Sequence, residues 1–98
     1  MIKICLIGAS GKMGRAVIEE VNNHNDIEIT NFIVHENSKA LNQDVGKFHF
    51  EKADNKTFTA SINGNLDCII DFATSENIQD RIILYAKLKK PVLFCTTG

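Results

Sequence analysis

The stretch that decides the fold of this chain runs from Ile2 to Gly14 and reads IKICLIGASGKMG. Its first half, Ile2 to Ile7, is an almost continuous apolar run, which is typical of a β-strand covered on both faces. Gly8, Gly11 and Gly14 then follow at intervals of three residues. The stretch therefore predicts a buried strand, a tight turn and the start of a helix.

The three glycines form a GxxGxxG motif, a spacing variant of the dinucleotide-binding fingerprint. In that fingerprint the first glycine permits the turn, the second lets backbone amides approach a pyrophosphate, and the third allows close helix packing. The helix N-terminus adds unpaired N–H groups that suit an anion. A purely structural turn is the alternative, but the flanking strand and amphipathic helix favour nucleotide binding. It is not a Walker loop, because Lys12 is followed by Met13.

The whole chain has 98 residues, 11 basic and 12 acidic side chains and a formal net charge of −1. This length corresponds to a single domain. The balanced charge argues against binding to nucleic acid or to an anionic membrane. No apolar run approaches the ~20 residues of a membrane span, and no signal-peptide pattern is present. We therefore expect a cytoplasmic protein whose ligand has to be inferred from its site.

Three cysteines, Cys5, Cys68 and Cys95, are far apart in the sequence, and each lies among apolar residues of a predicted strand. An odd number without paired spacing argues against a disulfide framework and against zinc. We expect buried thiols that act as small hydrophobic side chains. No histidine or cysteine pair has ligand spacing, so no metal site is predicted.

Apolar periodicity predicts the elements that follow the glycine turn. A helix over 12–22 would carry Met13, Val17 and Val21 on one face, and a strand over 27–34 follows it. A helical crossover of this length makes a right-handed βαβ unit. The first two strands are therefore expected to be parallel.

The segment over 37–65 is polar and gives a weaker signal. Its short apolar pieces, Phe48–Phe50 and Phe58–Ile62, suggest one or two brief strands in an irregular connection. His49 alternates with two phenylalanines in the first piece. It is expected to point to the solvated side of that strand.

Regular structure returns at Leu66 with a buried strand that ends at Asp71-Phe72. Ser75 is a suitable N-cap for the next helix, with Glu76 in its first turn. The apolar stripe of that helix consists of Ile78, Ile82, Tyr85 and Ala86. A last strand over 91–95 completes a doubly wound parallel α/β sheet of Rossmann type. Ligands bind at the carboxyl edge of such sheets, and the sequence stops at that edge. We therefore expect residues 1–98 to be a dinucleotide-binding domain truncated before a substrate domain.

An acidic residue about 20 positions beyond the glycine turn binds the adenosine ribose in dinucleotide-binding folds and favours NAD. Glu36 lies at that distance. An ordinary exposed acid at a strand end is the alternative. His35 and Lys39 could partly serve the 2′-phosphate of NADP. The preference between the two cofactors therefore stays open.

The ordered set IGASGKMGRAV, DFATSE and PVLFCTTG resembles the 4-hydroxy-tetrahydrodipicolinate (dihydrodipicolinate) reductase family of lysine and diaminopimelate synthesis. The similarity covers essentially all 98 residues, which correspond to the N-terminal cofactor domain of a longer protein. This resemblance implies an NADH- or NADPH-dependent oxidoreductase. The enzyme would transfer hydride to a cyclic imine or enamine dicarboxylate and would be a homotetramer at full length.

The resemblance also implies which residues bind the cofactor. The turn from Gly8 to Met13 would hold the pyrophosphate, and His35 or Glu36 would bind the ribose. Phe72 to Thr74 would line the groove. Cys95, Thr96 and Thr97 would approach the nicotinamide, although the family commonly has glycine where Cys95 stands. The full set is Gly8, Ala9, Ser10, Gly11, Lys12, Met13, His35, Glu36, Phe72, Ala73, Thr74, Cys95, Thr96 and Thr97.

The paired-histidine HHRxK-type motif, which carries catalysis in this family, is absent from the chain. None of His24, His35 and His49 lies in such a context. We therefore predict no catalytic residue here and no turnover by the isolated 98 residues. Two alternatives remain: a stand-alone NAD(H)-binding regulatory module, and the cofactor domain of a semialdehyde or acyl-phosphate dehydrogenase.

Overall fold

The computed structural model describes residues 1–74 and 78–95. Strands and helices alternate along them: β1 (Ile2–Ile7), α1 (Lys12–Val21), β2 (Ile27–Ile33), α2 (Val45–Phe50), β3 (Phe58–Thr59), β4 (Cys68–Asp71), α3 (Ile78–Leu88) and β5 (Val92–Phe94). These strands form one sheet in the order β3-β2-β1-β4-β5, and all neighbours run parallel. The structure confirms the predicted α/β class with a Rossmann-like sheet.

The central strand β1 is covered on both faces, as its apolar run predicts. Ile4 and Leu6 belong to one core cluster together with Ile18 of α1. Cys5 belongs to a second cluster together with Tyr85 of α3. Because side chains alternate along a strand, one apolar run supplies both layers of the core.

The pairing of β1 with β2 contains one irregularity. Ile4 lies opposite Ile29, but Cys5 lies opposite Asn31, so Thr30 is an extra residue in β2. Asn31 is buried, and its amide bonds the backbone of Asn63 twice: it donates to the carbonyl at 3.0 Å and accepts from the N–H at 2.9 Å. This buried amide fixes the loop between β3 and β4 against the sheet.

The prediction of a brief strand at Phe48–Phe50 is wrong, because these residues end helix α2. Asp44 caps the helix by accepting the N–H of Lys47 at 2.9 Å. Backbone N–H donors, that of Lys47 foremost, lower the pKa of the Asp44 carboxyl. A satisfied N-cap favours a helical turn where apolar alternation alone suggests a strand. His49 is correspondingly half-buried and is not on a solvated strand face.

Two further expectations are corrected in part. The strand that begins at Phe58 ends at Thr59 and does not reach Ile62. In the apolar stripe of α3, Tyr85 is buried, but Ile82 is 48% exposed and Ala86 is also exposed. Strand β3 has only two residues and α3 packs near the edge of the sheet, so part of the apolar surface of both segments stays exposed. The predicted cap, Ser75 with Glu76, lies outside the described residues.

The thiols differ in burial. Cys5 is fully buried in β1, whereas Cys68 and Cys95 are only half-buried, and all three are free. Burial is the main cause that raises the pKa of the Cys5 thiol to about 12. The expectation of buried thiols therefore holds fully only for Cys5, because Cys68 and Cys95 lie nearer the edge of the sheet.

Within residues 1–74 and 78–95, no helix is long and apolar enough to cross a membrane. The same part of the chain contains no cluster of metal-ligating side chains.

Candidate functional site

A groove of about 800 Å³ lies beside the carboxyl ends of β1, β2 and β4. Its lining comes from five segments of the chain: the glycine turn, the end of β2 with the residues after it, the loop after β3, the loop after β4 and one face of α3. This is the edge at which open parallel sheets bind ligands. The volume is within the range of small-molecule sites.

Two of the three glycines are required by the geometry of the turn. Gly8 has a φ of +80°, and a Cβ there would lie 3.0 Å from the backbone nitrogen of Ala73. A Cβ on Gly14 would lie 2.6 Å from the carbonyl oxygen of Ala9. The first glycine thus permits the turn, and the third permits the close approach of helix and turn.

Gly11 is different, because nothing crowds it. It is exposed, its φ is −81°, and a Cβ there would come no closer than 3.7 Å to the carbonyl oxygen of Gly8. Gly11 is the N-cap of α1, and no side chain caps that helix end. The first turn of α1 also contains no acidic residue. The amides at this helix end are therefore not satisfied by a capping carboxylate and suit an external anion.

The turn itself is held rigidly on β2. The N–H groups of Gly8 and Ala9 both donate to the carbonyl of Ile33, at 3.0 and 3.1 Å. On the other side, the N–H of Gly11 reaches the carbonyl of Gly8 at 3.3 Å. Among the described residues, the N–H of Ser10 has no partner, and Ser10 lines the groove. An unpaired backbone amide of the turn therefore belongs to a residue that lines the groove.

The residues that follow β2 bring the predicted ribose contacts to the same groove. Val34 is buried, whereas His35 and Glu36 are exposed and both line the groove with Gly8 and Ser10. Nδ1 of His35 accepts the N–H of Asn37 at 3.0 Å, which leaves Nε2 as the protonated nitrogen. Lys39, the second candidate for a phosphate contact, is not among the lining residues.

The wall formed by β4 and α3 depends on one buried carboxylate. Asp71 is fully buried, and among the described residues its carboxylate accepts hydrogen bonds from Nε of Arg81 at 2.9 Å, from the Tyr85 hydroxyl at 2.7 Å and from the Ala73 N–H at 2.8 Å. Arg81 also donates to the carbonyl of Thr74 at 2.6 Å. Burial, with the hydrogen bond to Asp71, raises the pKa of Tyr85. These bonds fix the loop after β4 against α3.

Sequence reasoning missed Arg81, which lines the groove along with Ala73 and Thr74. A signal existed. Asp71 ends a buried strand, and Arg81 and Tyr85 are four residues apart on the next helix, so both can reach one point. Because a buried carboxylate needs a partner, that pattern points to an ion pair at the strand end.

The remaining predicted residues have different positions. Ala9 is fully buried, and Phe72 is half-buried beside Ala73. Lys12 and Met13 are exposed at the start of α1 but do not line the groove. Cys95 is half-buried, and its N–H donates to the backbone carbonyl of Asp71 at 2.8 Å. Thr96 and Thr97 lie outside the described residues.

The comparisons with known proteins agree with this architecture. A family model described as "Dihydrodipicolinate reductase, N-terminus" matches residues 2–98. The chain belongs to the dihydrodipicolinate reductase family. It is 31% identical to the 4-hydroxy-tetrahydrodipicolinate reductase of Pseudoalteromonas atlantica over 100% of this chain and 38% of that relative. It is 30% identical to the enzyme of the same name from Wolbachia pipientis wMel, over 99% of this chain and 38% of the relative.

A third dihydrodipicolinate reductase relative, from Clostridium botulinum, is 30% identical over 100% of this chain and 34% of its own length. The chain thus spans less than two fifths of the curated relatives that it matches. The match is confined to the part of the family that the model describes as its N-terminus.

Proposed function

We propose that this chain is the NADH- or NADPH-binding part of a 4-hydroxy-tetrahydrodipicolinate reductase, in lysine and diaminopimelate synthesis. The single observation that carries the proposal is the glycine turn, in which Ser10, with a backbone N–H unpaired among the described residues, lines a groove shared with His35 and Glu36. The family assignment adds the reaction. In that reaction hydride passes to a cyclic imine or enamine dicarboxylate, and the bound nucleotide supplies the hydride.

In this proposal the pyrophosphate lies over the turn from Gly8 to Met13, where the α1 N-terminus and the Ser10 amide can donate to it. His35 and Glu36 accept or donate hydrogen bonds at the adenosine ribose. The loop from Phe72 to Thr74 forms the opposite wall, and Cys95, Thr96 and Thr97 are proposed to contact the nicotinamide. The full-length protein is proposed to be a homotetramer.

The charges in the groove favour NADH over NADPH. Glu36, which is proposed to bind the ribose, lines the groove, and a 2′-phosphate beside its carboxylate would be repelled. The guanidinium of Arg81, a cation in the same lining, is already paired with Asp71 at 2.9 Å. For the chain to bind NADPH as well as NADH, a further cation would have to approach the ribose.

The test is a titration of the folded chain with NADH and separately with NADPH, followed by nicotinamide fluorescence and calorimetry. A Gly11→Val variant adds a branched side chain at the N-terminus of α1, and its Cβ would make only an ordinary contact, at 3.7 Å, with the carbonyl oxygen of Gly8. Ala16→Val, a matched change at an exposed position further along α1, is the control. We expect saturable NADH binding, weaker NADPH binding, and loss of binding only in Gly11→Val.

Absence of NADH binding by a folded wild-type chain would contradict the proposal. Tighter binding of NADPH would contradict the role given to Glu36. We also propose that the isolated chain binds cofactor without reducing substrate, because the family's paired-histidine motif is not in it. Measurable reductase turnover by these residues alone would refute that part. The two alternatives, a regulatory module or another dehydrogenase, gain no support from the family assignment.

A further inference from the structure

His49 lies directly behind the glycine turn. It is part of α2, and its ring packs among Phe48, Phe50 and Phe58 with centroid distances of 5.1, 5.7 and 5.7 Å. Its Nε2 is 2.8 Å from the carbonyl oxygen of Ala9. Because a carbonyl oxygen can only accept, Nε2 must carry the proton and donate it. An aromatic cluster thus holds a hydrogen-bond donor against the backbone of the turn.

The Ala9 backbone is held at both of its polar groups. Its N–H donates to the carbonyl of Ile33 at 3.1 Å. Among the described residues, His49 provides the only hydrogen bond to its carbonyl oxygen. Ala9 is fully buried, so loss of His49 would leave that carbonyl without a partner, at a cost in free energy.

The orientation of this carbonyl decides the direction of the next amide. The described residues contain no cis peptide bond, so the Ala9–Ser10 peptide is planar and trans. In a trans peptide the C=O and the following N–H point in opposite directions. With the Ala9 oxygen directed inwards to His49, the Ser10 N–H is directed away from α2. That N–H has no partner in the described part of the protein, and Ser10 lines the groove.

We propose that His49 is a positioning residue, which orients the Ala9–Ser10 peptide so that the Ser10 N–H is available to the cofactor pyrophosphate. The inference rests on the proposed function of the groove. Without the donor, this peptide can rotate and turn the Ala9 carbonyl outwards. An oxygen with partial negative charge would then face the anion in place of an N–H donor.

The test measures NADH affinity by nicotinamide fluorescence in three variants of the chain. His49→Phe keeps an aromatic ring among the phenylalanines and removes the donor. His49→Gln restores an N–H donor of comparable reach. Phe48→Ala, the control, removes a half-exposed ring that packs on His49 and leaves the bond to Ala9 intact. Thermal unfolding of each variant, and the amide NMR signal of Ser10 with and without NADH, are recorded in parallel.

We expect about tenfold weaker NADH binding in His49→Phe, which corresponds to the loss of one hydrogen bond to a charged group. His49→Gln is expected to recover most of this loss. Phe48→Ala is expected to unfold at lower temperature and yet to bind NADH as the wild type does. The Ser10 amide signal should move on NADH addition in the wild type and in Phe48→Ala, but much less in His49→Phe.

The outcomes separate the two proposals. A folded wild-type chain that does not bind NADH overturns the proposed function and this inference with it. A wild type that binds, with His49→Phe binding equally well or its Ser10 signal moving equally, overturns only the role of His49. If His49→Phe does not fold, His49→Leu, which also lacks a donor, is measured beside His49→Gln. Binding by His49→Leu within about threefold of wild type refutes the donor role, and a loss of about tenfold that His49→Gln recovers supports it.

Discussion

Substitution of Gly14 by alanine tests the close contact on which the glycine turn depends. The new methyl group would lie 2.6 Å from the carbonyl oxygen of Ala9, 2.7 Å from that of Gly8 and 2.8 Å from the carbonyl carbon of Ala9. All three atoms are backbone, so no flexible side chain can move aside. Overpacking of this kind costs about 1–3 kcal/mol, and three backbone contacts place the cost near the upper end.

Alanine also has a favourable effect, because it gains about 1 kcal/mol over glycine inside a helix. The net destabilisation of Gly14→Ala is therefore about 2 kcal/mol, or a Tm lower by roughly 8–16 °C for a domain of this size. The assay is thermal and urea-induced unfolding followed by circular dichroism. Gly11→Ser is the control, because a Cβ at Gly11 meets nothing closer than 3.7 Å, its φ is ordinary and serine is a favoured N-cap residue. Equal stability of Gly14→Ala and Gly11→Ser would refute the reasoning.

Two further predictions concern the buried ion pair of Arg81 with Asp71 and the buried thiol of Cys5. Arg81→Leu leaves the fully buried Asp71 carboxylate without its counter-charge, so urea unfolding should show a free energy of unfolding lower by about 3–5 kcal/mol. A loss below about 1 kcal/mol would contradict the stabilising role of the ion pair. Burial raises the pKa of Cys5 to about 12 from 9.0, so the unfolded thiol ionises first and stability should fall as pH rises above 9. Between pH 9 and 10 the slope approaches about 1.4 kcal/mol per pH unit, and it should be flatter in Cys5→Ala; an unchanged slope would contradict this assignment.

The parts of the fold that sequence reasoning predicted correctly are those with a local cause. The run from Ile2 to Ile7 is apolar on both faces because it is central. The helix predicted over 12–22 is found over 12–21, with Val17 and Val21 of its predicted stripe packed against the core and Met13 exposed. The glycine turn lies between them. Each of these signals is contained within a few consecutive residues, so no knowledge of the remaining chain is needed.

Helix α2 could not be predicted in this way. The alternation of Phe48, His49 and Phe50 has the period of a strand, and six residues are too few for a helical period to appear. What decides the helix is the Asp44 cap, which also accepts the N–H groups of Asp54 and Asn55, ten and eleven residues away. The bond from His49 to Ala9 spans 40 residues and has no local signature.

The extra residue in β2, Thr30, forms a β-bulge. The sequence pattern indicates this bulge, and the bulge affects the geometry of the candidate site. Apolar residues that face α1 have odd numbers before the bulge, at Ile27 and Ile29, and even numbers after it, at Phe32 and Val34. Such a change of parity requires one extra residue, because a strand that slips by one residue exchanges its faces. The extra residue brings Ile33 opposite Ile7, next to the glycine turn.

That register has a direct consequence for ligand binding. The carbonyl of Ile33 can accept both the Gly8 and the Ala9 N–H only because Ile33, the last residue of β2, lies opposite Ile7. Two residues further along, His35 leaves the sheet into the same groove, followed by Glu36. In a regular strand, Phe32 would lie opposite Ile7, and Ile33 would lie one position beyond it. The residues after Ile33 would then be displaced by one position relative to the glycine turn. One inserted residue in a strand thus determines both the anchor of the glycine turn and the residues that face it across the groove.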